Sequence, residues 1–186
     1  MEPPFVTTCH PYTGGAFFQV EETRTLSTVT GDEYVRHVVR HPSGAGVVAV
    51  MDGNAICVRQ YRPAIEQEIV EIPAGRPLIG ESFVDTALRE LTEETGLEAL
   101  DIQPLARFYN APCFCDGITH AFLATRFRHH RLGTEVGEFP THVVRVKLED
   151  ISSLITNGTL VDAKTIIALI LAYQRLNPFQ DPSKSL

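Results

Sequence analysis

Short apolar runs broken by turn residues fill the chain up to Gly75, and they predict strands rather than helices. Phe17 to Val20 is a brief one. Glu33 to His41 and Gly46 to Met51 are rich in valine and are parted by His41-Pro42-Ser43-Gly44, a turn signature. Asp52-Gly53-Asn54 then predicts a tight hairpin turn into Ala55 to Tyr61. Ile69 to Ile72 is a further short strand before Pro73-Ala74-Gly75.

The period changes after Gly75. Val84, Ala87, Leu88 and Leu91 fall on one stripe of a helix from Ser82 to Thr95, and Gly96 stands where a helix end favours glycine. Asp162 to Leu176 opens on an N-capping aspartate and carries Ile166, Ile167, Leu169, Ile170 and Tyr173. A shorter helix is predicted from Leu148 to Thr156, ended by Asn157-Gly158. Strands are expected near Leu105 to Tyr109, His120 to Phe127 and His142 to Lys147. Strands first, a helix among them and helices last predict an α+β fold with α/β/α layering.

Composition narrows the class. The 186 residues suffice for one ordinary core, and 44% hydrophobic with 21% charged residues is a globular balance. A net charge of −7 argues against a general nucleic-acid binder. No apolar run approaches a membrane span, and Met1-Glu2-Pro3-Pro4 does not begin a signal peptide, so a cytoplasmic location is expected. Cys9, Cys57, Cys113 and Cys115 form no CxxC pair, and reduced, packed thiols are expected. His129-His130 sits in a basic stretch from Arg126 to Arg131 on an expected hairpin. No histidine stands at a metal-ligand spacing from the glutamates discussed next.

Those glutamates carry the chemistry. Glu90, Glu93 and Glu94 lie at i, i+3 and i+4 and share one helix face. Like charges so close repel, and two of them sit in the last turn, where the helix dipole disfavours anions. Either water solvates them or cations bind there. Carboxylates suit Mg²⁺, which takes one or two of them together with waters and substrate phosphates.

The stretch Gly75 to Leu97 (GRPLIGESFVDTALRELTEETGL) resembles the Nudix box, G-x5-E-x7-R-E-U-x-E-E-x-G-U, with U a bulky aliphatic. It matches at Gly75, Glu81, Arg89, Glu90, Leu91, Glu93, Glu94, Gly96 and Leu97, nine fixed positions in 23, which makes the signal specific. Upstream, Val58-Arg59-Gln60-Tyr61-Arg62-Pro63 and Glu71-Ile72-Pro73-Ala74-Gly75 resemble the ADP-ribose pyrophosphatase branch. Pro112 stands 16 residues after Gly96, as in that branch, and Gly158 with Asp162-Ala163-Lys164-Thr165 resembles its closing helix.

The resemblance implies a Nudix fold, an α/β/α sandwich around a mixed β-sheet, and Mg²⁺-dependent (or Mn²⁺-dependent) hydrolysis of a nucleoside diphosphate linked to a group X. It implies metal ligation by Glu90 and Glu94, with Glu93 beside them, an oxygen from the Ala74 carbonyl, and Glu81 nearby. Arg89 and Glu81 would pair to hold loop and helix in register. Arg62 would grip the diphosphate with its forked guanidinium, with Arg59 as a second candidate. The acid that handles the attacking water would come from the loop Arg131 to Pro140, with Glu138 the better match and Glu135 the alternative.

The resemblance also implies a homodimer. Residues 1–45 would form N-terminal strands suited to dimerisation, residues 46–176 the Nudix hydrolase domain, and residues 177–186 a C-terminal tail. The partner is a small-molecule nucleoside diphosphate sugar, with no nucleic acid and no membrane. The chain departs from the branch at Ala111-Pro112-Cys113-Phe114-Cys115-Asp116-Gly117, where a glycine is replaced by Cys113 and the final acid by Gly117. Asp116 is a shifted stand-in for that acid, and the departure leaves X open. Another nucleoside diphosphate sugar or a dinucleotide is an alternative substrate, and a non-catalytic sensor of ADP-ribose-like ligands is a further one. Phe17, Phe18, Tyr34 and Tyr12 are all candidates to stack on a base.

Overall fold

A computed structural model describes residues 5–14, 18–129 and 142–178. Glu135 and Glu138 lie outside the described residues, as do Phe17 and His130.

The chain divides into two compact units, residues 1–43 with 109–118, and residues 44–108 with 119–186. The first holds an antiparallel sheet of β1 (Phe5–Gly14), β2 (Gln19–Ser27) and β3 (Glu33–Arg40), in that order. The sequence reading found only the start of β2, because Gln19 to Ser27 interleaves Glu, Thr and Arg with few apolar residues. In the same unit the turn after Asn110 is tied to the end of β3. Val39 N–H donates to the Phe114 carbonyl at 2.7 Å, and Asp116 accepts from His41 N–H at 2.8 Å and from Arg40 Nη1 at 3.3 Å.

The second unit is built on a mixed sheet. Its strands are β4 (Gly44–Met51), β5 (Asn54–Arg62), β6 (Gln67–Glu71), β7 (Ala74–Gly75), β9 (Gln103–Tyr109), β10 (Ile118–Ala124) and β12 (His142–Lys147). The main path runs β12-β5-β4-β10-β9, with β6 added on β5 and β7 on β4. β4 and β10 run parallel, while β5 is antiparallel to β4, β6 and β12. The turn between β4 and β5 places Asp52 at φ 50 and Gly53 at φ 73, the double left-handed conformation of a type I′ hairpin.

Alternation along the central strands sets the layers. Ala45, Val47, Ala49, Ile56, Phe122 and Ala124 pack with Ala87 and Leu91 of α1 (Phe83–Thr95). Val48, Val50, Cys57, Ala121 and Leu123 pack on the other face with Ala168, Leu169 and Ala172 of α3 (Ala163–Leu176). Ile151 of α2 (Ile151–Thr156) joins them, after a 3₁₀ turn at Leu148–Asp150. A sheet between α1 on one side and α2 and α3 on the other is the expected α/β/α sandwich.

One expectation changes. The strand expected over His120 to Phe127 stops at Ala124, because Asp101 takes the N–H groups of Thr125 and Arg126, both at 3.0 Å. The basic stretch then resumes as β11 (Phe127–His129), which pairs antiparallel with β8 (Leu97–Ala99), and the rest of the hairpin expected over Arg126 to Arg131 lies outside the described residues. Among the described residues no helix is long and apolar enough to cross a membrane.

Leu91 is fully buried between α1 and the sheet (0% exposed). Leu91→Ala is expected to lower unfolding stability by roughly 2–5 kcal/mol, the range for removing a large aliphatic side chain from a core. Urea denaturation followed by circular dichroism checks this.

Candidate active site

The box residues are placed by α1 and the loop before it. Ser82 caps the helix, accepting from Asp85 N–H at 3.1 Å, and Gly96 closes it at φ 73 with its N–H on the Thr92 carbonyl. Because Ala87 and Leu91 are buried against the sheet, Glu90 and Glu94 stand beside that face and are half-buried themselves.

Glu90 lies directly against β7. A Cβ added at Gly75 would fall 1.8 Å from Glu90 Oε1, so a larger residue there would push this carboxylate aside. Glu94 accepts a hydrogen bond from Ala74 N–H at 3.2 Å. Burial raises the pKa of Glu90, opposed by the adjacent Arg89 charge. Burial also pushes Glu94 up to about 8, the Glu90 charge adds to this, and the Ala74 N–H opposes it. Two carboxylates are thus kept near each other with too little positive charge between them.

Arg89 stands at the centre of the remaining acids. It donates to Glu81 from Nε at 2.9 Å and from Nη2 at 3.1 Å, to Glu90 and Glu93 from Nη1 at 2.9 Å each, and to the Arg76 carbonyl. Glu81 also accepts from Leu78 N–H and Thr86 Oγ1. Those bonds, from Arg89 first and Leu78 next, hold Glu81 down at about 2. Four donors fill the roughly four lone-pair sites of a carboxylate, so Glu81 is turned to the loop. Glu93 is half exposed. Among the described residues no three His, Cys, Asp or Glu side chains converge in an arrangement for a metal ion, so Glu93 and Glu81 do not join Glu90 and Glu94 at one point.

Arg62, at the end of β5, is engaged with a neighbour: Nε and Nη2 donate to the two oxygens of Glu71 at 2.5 and 2.7 Å. Arg59 is exposed on β5, and Pro112 is exposed in the turn after Asn110. Cys57 is buried, and burial pushes its thiol up to about 12. Cys113, expected to be packed, is exposed.

Glu71 and Lys164 were quoted only as parts of motifs, with no role assigned to either. Glu71 is buried to 1% exposure, and Lys164 Nζ donates to its Oε2. A glutamate inside the apolar run Ile69 to Pro73 was the available signal, since a buried carboxylate implies a cation.

A helix thus sets two half-buried acids against a mixed sheet, with Gly75 beside the first of them. A NUDIX domain model matches residues 40–169. The chain is 42% identical over 137 residues to an ADP-ribose pyrophosphatase of Bacillus subtilis, covering 72% of this chain and 74% of that protein. It is 37% identical over 142 residues to a methanol dehydrogenase activator of Bacillus methanolicus, covering 75% and 76%. An ADP-ribose pyrophosphatase of Mycobacterium tuberculosis is 30% identical over 162 residues, covering 82% and 75%. The crystal structure of an ADP compounds hydrolase superposes with a TM-score of 0.82 over 95% of this chain and 96% of that one, at 22% identity, a likeness of fold. The chain belongs to the Nudix hydrolase family.

The raised Glu94 makes a pH prediction. A native carboxyl that keeps its proton up to about 8, against about 4.3 when unfolded, binds more protons in the native state between those values. Its contribution therefore falls as pH rises from about 4.5 to 8. Glu81, held at about 2, acts in the opposite sense and contributes above about 4.5, losing this as pH falls toward 2. In EDTA, Glu94→Gln should flatten the fall in thermal midpoint between pH 5 and 8, and added Mg²⁺ should raise the wild-type midpoint most at pH 8. Differential scanning fluorimetry across that range checks both.

Proposed function

We propose that the chain hydrolyses the pyrophosphate bond of a nucleoside diphosphate linked to X, converting ADP-ribose and water to AMP and ribose 5-phosphate with Mg²⁺, or Mn²⁺ in its place. The observation that carries this reading is the pair Glu90 and Glu94, half-buried, short of compensating charge and packed against Ala74 and Gly75. Two relatives named ADP-ribose pyrophosphatase support the choice of substrate.

The donor set suits a hard divalent cation, since two carboxylates and a backbone carbonyl leave positions for water and phosphate. Glu90, Glu94 and the Ala74 carbonyl would hold it, with Glu93 beside them. When bound, it supplies neutralising charge and lowers the pKa of a coordinated water. Arg89 and Glu81 keep the loop at residues 76–81 in register with α1. Arg62 binds the diphosphate through guanidinium N–H groups, and Arg59 is a second candidate. Glu138, or else Glu135, accepts a proton from the water that adds to one phosphorus as the bridging P–O bond breaks.

A different nucleoside diphosphate sugar or a dinucleotide is the second reading. It is favoured by the turn at residues 111–117, where Asp116, the shifted stand-in for the missing acid, has both oxygens engaged by Arg40 and His41. The proposal extends to a cytoplasmic homodimer with residues 46–176 as its catalytic domain and residues 177–186 as a tail. Exposed Leu26, Tyr34 and Val35 on the β1–β3 sheet support residues 1–45 as the dimerising part.

Purified protein given ADP-ribose and Mg²⁺ should release AMP and ribose 5-phosphate, read by chromatography, and EDTA should stop it. Glu94→Gln is expected to lower kcat by about 100-fold or more, the scale of losing one group that stabilises developing charge. Full activity in that variant would end the ligand assignment, and no turnover of ADP-ribose beside turnover of another nucleotide in a substrate panel would favour the second reading.

A further inference from the structure

Four charged side chains meet where β5, β6 and α3 come together. Glu71 carries two cations: the fork of Arg62 on both oxygens and Lys164 Nζ on Oε2. Lys164 Nζ also donates to Asp162 Oδ2 at 2.9 Å. That same oxygen caps α3, accepting from Thr165 N–H at 3.0 Å and Thr165 Oγ1 at 2.6 Å. Thr165 Oγ1 in turn accepts from Ile72 N–H at 2.9 Å, next to Glu71.

One cation would compensate one buried carboxylate. The second, Lys164, is balanced by Asp162, so the quartet is neutral as a whole. What the extra pair adds is fixation. Arg62 spends two of its five N–H donors on Glu71, and among the described residues the other three have no acceptor. Its side chain remains 41% exposed. The charge of Arg62 acts on Glu94, so the guanidinium stands in the neighbourhood of that carboxylate. Lys164 has two of three donors engaged and is 20% exposed.

We propose that Lys164 is a positioning residue which, through Glu71, fixes the plane of the Arg62 guanidinium so that its unspent N–H groups face the substrate diphosphate. This rests on the proposed function of Arg62. The sheet edge and the start of the last helix thereby act on the diphosphate without touching it. A bidentate fork defines an orientation, and Lys164 anchors the carboxylate that receives the fork to a capped helix.

The test is a double-mutant cycle on the full chain, with ADP-ribose and Mg²⁺ as substrate. Lys164→Met should raise KM about tenfold or more, the scale for outer partners of binding groups, with kcat within about twofold, as for loss of uniform binding. Lys164→Arg should restore most of the loss. In an Arg62→Lys background, which has no fork to aim, Lys164→Met should add less than about twofold. Losses that multiply in the double variant, or an unchanged KM in Lys164→Met, overturn the proposal. If Lys164→Met does not fold, Lys164→Gln takes its place in the same cycle.

A second readout needs no turnover. In ¹⁵N-labelled protein without substrate, the Arg62 Nε–H should exchange slowly with water and exchange at least several-fold faster in Lys164→Met. Unchanged exchange overturns the proposal. A wild-type chain that turns over neither ADP-ribose nor any other nucleotide tried would reject the functional reading, while the exchange result still decides whether Lys164 holds Arg62.

Discussion

Two carboxylates one helical turn apart are kept partly out of water with too little positive charge beside them, and much of the second unit is arranged around that cost. Glu90 and Glu94 are on the edge of the face by which α1 grips the sheet, so the burial of Ala87 and Leu91 keeps both beside it. The segment opposite is equally constrained. Gly75 admits Glu90, Ala74 N–H tethers Glu94, the Pro73 carbonyl accepts from Val47 at 3.0 Å, Ile72 N–H is taken by Thr165, and Glu71 is fixed by two cations. Each residue from Glu71 to Gly75 has a separate tie, which is how a short strand lacking a long ladder keeps one shape.

The same sheet buries acids in two ways, and the contrast is informative. Burial acts to raise the Glu71 pKa, but the bond from Arg62 and the charge of Lys164 more than cancel it, and the group lies below the ordinary carboxylate range. Burial acts on Glu94 in the same direction, and the Ala74 N–H and the Arg62 charge do not cancel it, so it is pushed up to about 8. A buried carboxylate paired with protein cations is a structural element. One left short of positive charge is stable only if it holds a proton or receives a cation from outside, and strong displacement of this kind marks functional sites more often than structural ones.

Legibility in the sequence followed the range of the interaction. α1 could be read because its apolar stripe and its closing Gly96 are local signals, and the turn at Asp52-Gly53 because only a few residues favour its left-handed backbone. The acids of α1 were legible as a shared face, and their likeness to a known box supplied roles that periodicity does not. β7 and β8 were missed because two or three residues carry no period. β1 and most of β2 were missed because their polar composition shows no alternation. The Glu71–Lys164 contact joins residues 93 positions apart, and nothing local to either announces the other.

The turn at residues 111–117 is where the chain departs from the pattern that its sequence resembles. A shifted acid stands in for a missing one only if its oxygens are open to a ligand. Asp116 accepts from His41 N–H with one oxygen and from Arg40 Nη1 with the other, and its own N–H returns to the Val39 carbonyl at 3.2 Å. Arg40 is also bound to Glu21 at 2.8 Å, so the group closes into a network within the first unit. Freeing Asp116 would strip two strand-end donors of their acceptor, a loss of about 1 kcal/mol or more for each bond. The acid therefore belongs to the architecture of its turn.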